Sequence, residues 1–200
     1  MKVKIKKEGK VKEFKLINSW SDVTLSTWLK LIDFETGTKT EEATETIAAL
    51  SDIPKKLVKE LSLSDVAVIM SKVGELQSKQ DTKLKRIIEI NGVEYGFHPD
   101  LDSISLGEYA DIEQFIKNGI DSSLPELMAV LYRPIKLKKS DTLYIIDPYD
   151  GDIRLRAEEM KLMSAEQVQS ALFFFYNLGK VLSEILPLYL MERLKETKTQ

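Results

Sequence analysis

Polar and apolar residues alternate from the first positions of the chain. Val3 and Ile5 are interleaved with Lys2, Lys4 and Lys6, and a second β-prone run, Val11 to Leu16, follows Glu8-Gly9. A period of two on either side of a glycine predicts a β-hairpin. The same pattern returns at Arg86-Ile-Ile-Glu-Ile90 and Val93-Glu-Tyr-Gly-Phe97, now joined by Asn91-Gly92. Asn-Gly is the strongest short hairpin signal, because both residues tolerate positive φ.

After each hairpin the period lengthens to that of a helix. Thr24 is a good N-cap, with Val23 before it and Trp28 placed to pack back on it; Ser105, Ile104 and Tyr109 repeat the arrangement. Ser105 with Glu108 also has capping-box spacing. Leu25, Trp28, Leu29 and Ile32 give one apolar stripe, matched by Leu106, Tyr109, Ile112 and Ile116. Gly37 stops the first helix and Asn118-Gly119 the second.

The parallel runs on. A helix carrying Ile47 and Leu50 leads to Pro54; its counterpart starts at Ser123, with Glu126 completing a capping box, and passes Met128 and Leu131 to Pro134. Third helices start at Ser62, with Asp65, and at Ser164, with Gln167. Val66, Ile69, Met70, Val73 and Leu76 form the apolar stripe of the former.

The expected fold is therefore α+β and mainly helical: two pseudo-repeats of a β-hairpin followed by three helices. Residues 1–80 form the first unit and 84–200 the second, joined through the polar stretch Gln77 to Lys83. The second copy is longer by the segment around 137–157. Leu143 to Ile146, the turn Asp147 to Asp152 and Ile153 to Arg156 predict an inserted hairpin there, with Pro148 and Gly151 as turn residues.

The chain ends on an apolar run, Leu172 to Met191, whose Asn177, Lys180, Glu184 and Pro187 argue against a membrane span. Consecutive Phe173, Phe174 and Phe175 point about 100° apart on a helix, so that helix must be covered on several sides. Either it is buried between the two units, or Phe173, Phe174, Phe175, Tyr176, Leu182, Leu186 and Tyr189 contact another chain.

Composition narrows the chemistry. A net charge of −3 lacks the basic surplus of general nucleic-acid binders, and with no cysteine there is neither disulfide nor thiolate metal site. Lys2, Lys4, Lys6, Lys7, Lys10, Lys12 and Lys15 suit a solvated, edge-protecting strand face, with an acidic or phosphate partner as the alternative. His98 is the single histidine, which rules out a paired-imidazole mechanism, and it is expected as a loop residue without a catalytic role. Asp147, Asp150 and Asp152 lack the ligand order of an EF-hand, and turn preference accounts for them. No phosphate-binding glycine loop, nucleophile elbow or zinc-protease helix is present. No cofactor, metal or small-molecule ligand is expected.

Two segments, Asn18-Ser-Trp-Ser-Asp-Val-Thr-Leu25 and Asp100-Leu-Asp-Ser-Ile-Ser-Leu-Gly-Glu-Tyr109, resemble small proteins of tailed bacteriophages, crass-like phages of gut bacteria in particular. The resemblance touches both cap-and-helix segments and the hairpins before them, and leaves out the inserted hairpin and the C-terminal helix. It implies a non-enzymatic virion component or assembly factor in the virion or host cytoplasm, in contact with other phage structural proteins or copies of itself. The alternatives from the residues alone are a soluble adaptor or weak nucleic-acid-binding module using the Lys-rich hairpin, and an enzyme with an unrecognised acidic site.

Overall fold

The computed structural model describes residues 1–7, 10–34, 37–77 and 83–174. Among these the chain is α+β and 53% helical, with eight helices and two antiparallel sheets of two and four strands. The Glu8-Gly9 turn, most of the proposed linker and five of the candidate contact residues (Phe175, Tyr176, Leu182, Leu186 and Tyr189) lie outside the described residues.

Strands β1 (Lys2–Lys7) and β2 (Lys10–Lys15) pair in the register Val3 opposite Phe14 and Lys4 opposite Glu13. Alternation does what it predicts: Val3 and Ile5 are buried, while Lys2, Lys4 and Lys15 face solvent. A 3-10 turn at Trp20–Asp22 leads to α1 (Leu25–Phe34), where Thr24 Oγ1 accepts the Thr27 N–H at 3.2 Å. Three helices follow: α2 (Lys39–Leu50), α3 (Lys55–Val58) and α4 (Leu63–Gln77). Thr38 and Glu41 form a capping box on α2, and Ser62 Oγ accepts the Asp65 N–H at 3.1 Å to cap α4. The expected stripe of α4 lies in the core, with Ile69 and Val73 buried and Val66, Met70 and Leu76 partly so.

The second hairpin is β3 (Ile87–Ile90) and β4 (Val93–Phe97), turned by Asn91 and Gly92 at φ of 53° and 77°. A second 3-10 turn, Leu101–Ser103, precedes α5 (Leu106–Asn118), which carries the predicted Ser105–Glu108 capping box and stops at Gly119 with φ of 103°. Ser123, by contrast, makes no side-chain cap bond. It ends a 3-10 turn running directly into α6 (Leu124–Leu131), whose first turn is preset by Pro125.

The inserted segment differs from expectation. A hairpin stands there, but it is β5 (Tyr132–Ser140) with β6 (Leu143–Ile146), turning at Asp141-Thr142 rather than at Asp147 to Asp152. Ile153 to Arg156 is not a strand: α7 (Arg154–Met160) begins there. Ile153, Ala157 and Met160 are the buried positions, a helical spacing, and Arg, Leu, Ala, Glu and Met are all strong helix formers. A last helix, α8, occupies 165–174, and Ser164 and Gln167 exchange the predicted capping bonds at 2.9 and 3.2 Å.

Two apolar clusters hold these elements. One gathers Val3, Ile5, Leu16, Trp20, Ile47, Leu50, Ile69 and Val73; the other gathers Ile88, Phe97, Leu124, Met128, Leu131, Tyr132, Met160 and Val168. They are interlocked, since Leu25 of α1 belongs to the second and Ala165 of α8 to the first. The backbone crosses there too: Leu25 N donates to Met163 O, and Ala165 N to Val23 O, both at 2.7 Å. Trp28 touches both clusters.

Candidate interaction surfaces and a buried ion cluster

The strand order β3-β4-β5-β6 leaves β6 at an edge, and the residues of the hairpin divide by face. Tyr144 and Ile146 turn inward. The Tyr144 hydroxyl crosses β4 to donate to Phe97 O at 2.7 Å, and it lies 3.2 Å from Arg86 O. That crossing requires a residue without a side chain beneath the ring. A Cβ on Gly96 would lie 2.5 Å from Tyr144 Cε2, 2.8 Å from Cδ2 and 2.9 Å from Ile146 Cγ2.

On the outer face, Leu137, Leu143 and Ile145 are 54%, 60% and 57% exposed. Leu137 stands opposite Ile145, and register shifts on β5 make Lys136 and Lys139 extra residues relative to β6. Leu137, Lys139, Leu143, Tyr144 and Ile145 line a dimple of about 150 Å³.

Helix α5 presents a second apolar row. Of the four residues on its expected apolar stripe, only Ile112 is buried; Leu106, Tyr109 and Ile116 are 83%, 58% and 50% exposed. Tyr109 therefore stays outside the core, whereas its counterpart Trp28 packs, partly buried, against both clusters. The core contact of α5 is made instead through Ile112, Phe115 and the cap residue Glu108. A groove of about 800 Å³ also opens between α2, α3 and α4, floored by Ala43, Val58, Leu61 and Val66, and Lys55 and Glu45 form an ion pair at its rim.

The base of β5 is anchored by buried charge. His98 follows β4, Glu108 is the third residue of α5, and Arg133 is the second of β5; all three are less than a tenth exposed. One Glu108 oxygen accepts from the Ser105 N–H and hydroxyl at 2.8 and 2.6 Å. The other lies 2.7 Å from Arg133 Nη2 and 3.5 Å from His98 Nε2. The Arg133 guanidinium sits 5.8 Å from the centre of the Tyr149 ring, and the Tyr149 hydroxyl donates to Asp111.

Burial opposes charge on Glu108, but the Ser105 bonds and then Arg133 outweigh it and hold the carboxyl below its ordinary value. Burial lowers the pKa of His98 despite Glu108, leaving the ring neutral at pH 7. Burial likewise lowers that of Arg133 against the pull of Glu108. With one oxygen held by Ser105 and the other facing Arg133 and His98, Glu108 ties together the end of β4, α5 and β5. His98 stands in the loop after β4, as expected, but is buried within this cluster. Position in sequence gave no hint of that, because its neighbours Glu108 and Arg133 are brought in by the fold.

The remaining sequence candidates fall as follows. Asp150 Oδ1 accepts the Asp152 N–H at 3.1 Å and faces Arg156 Nη2 at 3.5 Å, so turn bonding and a guanidinium occupy that loop. Among the described residues no group of three metal-ligating side chains converges, and no helix is long and apolar enough to cross a membrane. Lys2 pairs with Glu13 on the outer face of the first hairpin. Phe174 meets Phe97 edge-on, with ring centres 5.5 Å apart, and Phe173 is 48% exposed. In comparisons with known proteins the chain matches no family model, no curated protein and no solved structure.

Proposed function

We propose that this chain is a non-enzymatic assembly protein working through contacts with other protein chains. The observation carrying this reading is the grouping of exposed apolar side chains on two regular elements, Leu137, Leu143 and Ile145 on a sheet edge and Leu106, Tyr109 and Ile116 on α5. Scattered exposed apolar residues are ordinary, whereas rows on one strand face or one helix face mark contact surfaces. Phe173, at the start of the apolar C-terminal run, extends the set, and the sequence resemblance supports a tailed-phage setting.

We further propose that the fold arose by internal duplication. Ile17 N donates to Leu50 O at 3.0 Å, and His98 N donates to Leu131 O at 2.8 Å. Leu16 bridges Ser51 as Phe97 pairs with Tyr132. One constant interval along the chain relates all these pairs, and the same interval relates Thr24 to Ser105. In this reading the single bridge at Ser51 is the ancestral form, and the second copy lengthened it into β5 and β6. Duplication supplies two related bodies on one chain, and the added hairpin gives one of them a distinct contact.

The test is fractionation of phage-infected host cells with an antibody against the chain. Sedimentation with particles or with their assembly intermediates is expected. A chain found only as free protein at every stage of infection contradicts the phage reading. A soluble adaptor binding nucleic acid through the Lys-rich hairpin is separated by duplex binding at low salt, where affinity falling steeply with added salt is its signature.

A further inference from the structure

We propose that β6 pairs antiparallel with β6 of a second copy of this chain, about Tyr144, joining the two four-stranded sheets into one. The inference rests on the contact reading above and names its surface and partner.

Three observations point to a second copy. First, an edge strand exposes unpaired backbone groups, and proteins commonly guard such edges with charge or proline. β1 and β2 have lysines on alternate positions, whereas β6 is Leu143-Tyr-Ile-Ile146, with neither. Among the described residues no strand pairs with its outer edge. Second, the two bulges fall on β5, which leaves β6 unbroken as a pairing template.

Third, the strand is complementary to itself. Centring the pair on Tyr144 sets Leu143 opposite the partner's Ile145 and Ile145 opposite the partner's Leu143. Because Leu137 flanks Ile145, one outer apolar strip then runs through Leu137, Ile145 and their counterparts.

Disulfide capture tests the pairing directly, since the chain has no cysteine of its own. Leu143→Cys and Ile145→Cys chains are prepared separately, mixed and oxidised at near-neutral pH. Directly opposite antiparallel positions bring Cβ atoms within bridging range. The expected product is the mixed 143–145 disulfide in several-fold excess over either like-with-like product. Tyr109→Cys on α5 serves as the comparison, and both β6 positions are exposed, so folding is checked by an unchanged circular-dichroism melt. Products in the statistical ratio, or no dimer at all, overturn the proposal. Efficient capture through Tyr109→Cys without capture at β6 also overturns it, while leaving the contact reading in place.

Discussion

Replacing Gly96 by Ala tests how the hairpin is held. Gly96 does not adopt positive φ, so alanine meets no backbone penalty there, and the cost comes from contact alone. The new methyl would sit 2.5 Å from Tyr144 Cε2, well inside carbon–carbon contact. The ring cannot simply swing away, because Tyr144 is 6% exposed and its hydroxyl is tied to Phe97 O. Overpacking of this kind costs about 1–3 kcal/mol. Restricting the unfolded chain returns about 0.4–1 kcal/mol, so a net loss of about 1–2 kcal/mol is expected. For a domain of this size that lowers Tm by roughly 2–8 °C. Urea unfolding followed by circular dichroism measures it. In a Tyr144→Ala background most of the penalty should vanish, leaving only the contact with Ile146. A Gly96→Ala chain as stable as the parent, or a penalty unchanged without the ring, refutes the account of the crossing.

Other outcomes follow from the same geometry. Glu108→Gln strands the Arg133 charge in the interior and should cost about 3–5 kcal/mol by denaturant unfolding. His98 and Glu108 both have depressed pKa values in the fold, so the unfolded chain binds protons more readily and stability falls with pH. Loss on account of His98 begins as pH drops below its ordinary 6.5, with a slope of up to about 1.4 kcal/mol per pH unit, and His98→Gln should flatten the curve between pH 7 and 5. Glu108 adds a further loss below its ordinary 4.5. Phe174→Ala removes the edge contact with Phe97 and should cost about 2 kcal/mol, roughly half that of a fully buried phenylalanine. Phe173→Ala, at a half-exposed position, should change stability by less than about 0.5 kcal/mol.

Local chemistry made most of the elements legible. Asn91-Gly92, the Ser105–Glu108 box, Gly119 and the Ser62 and Ser164 caps act within a few residues of themselves, and each forms as its spacing predicts. Apart from the Ser123–Glu126 box, which does not form, the failures lie where distant partners decide. Leu143 to Ile146 stands between a β-prone run from Tyr132 and the turn-prone Asp147 to Asp152, and only pairing with β5 settles which neighbour it joins. Arg154 to Met160 alternates for four residues before its helical period shows, and its buried side rests on α6. On α5 most of the apolar stripe stays outside and the capping-box residue Glu108 goes inward, where its carboxylate meets Arg133 and His98. The exposed hairpin face was invisible for the same reason: alternation shows that one face differs from the other, not which one the protein covers.

The central claim is that the apolar edge strand β6 joins two copies of the chain. Sedimentation velocity of the full chain over a wide concentration range tests it most directly, comparing the parent with Ile145→Lys. The account predicts a parent that moves from its 22.8 kDa mass to twice that value as concentration rises, and a folded variant that stays at the lower mass. A parent that remains a single chain at every concentration, or a variant that associates as the parent does, would contradict it.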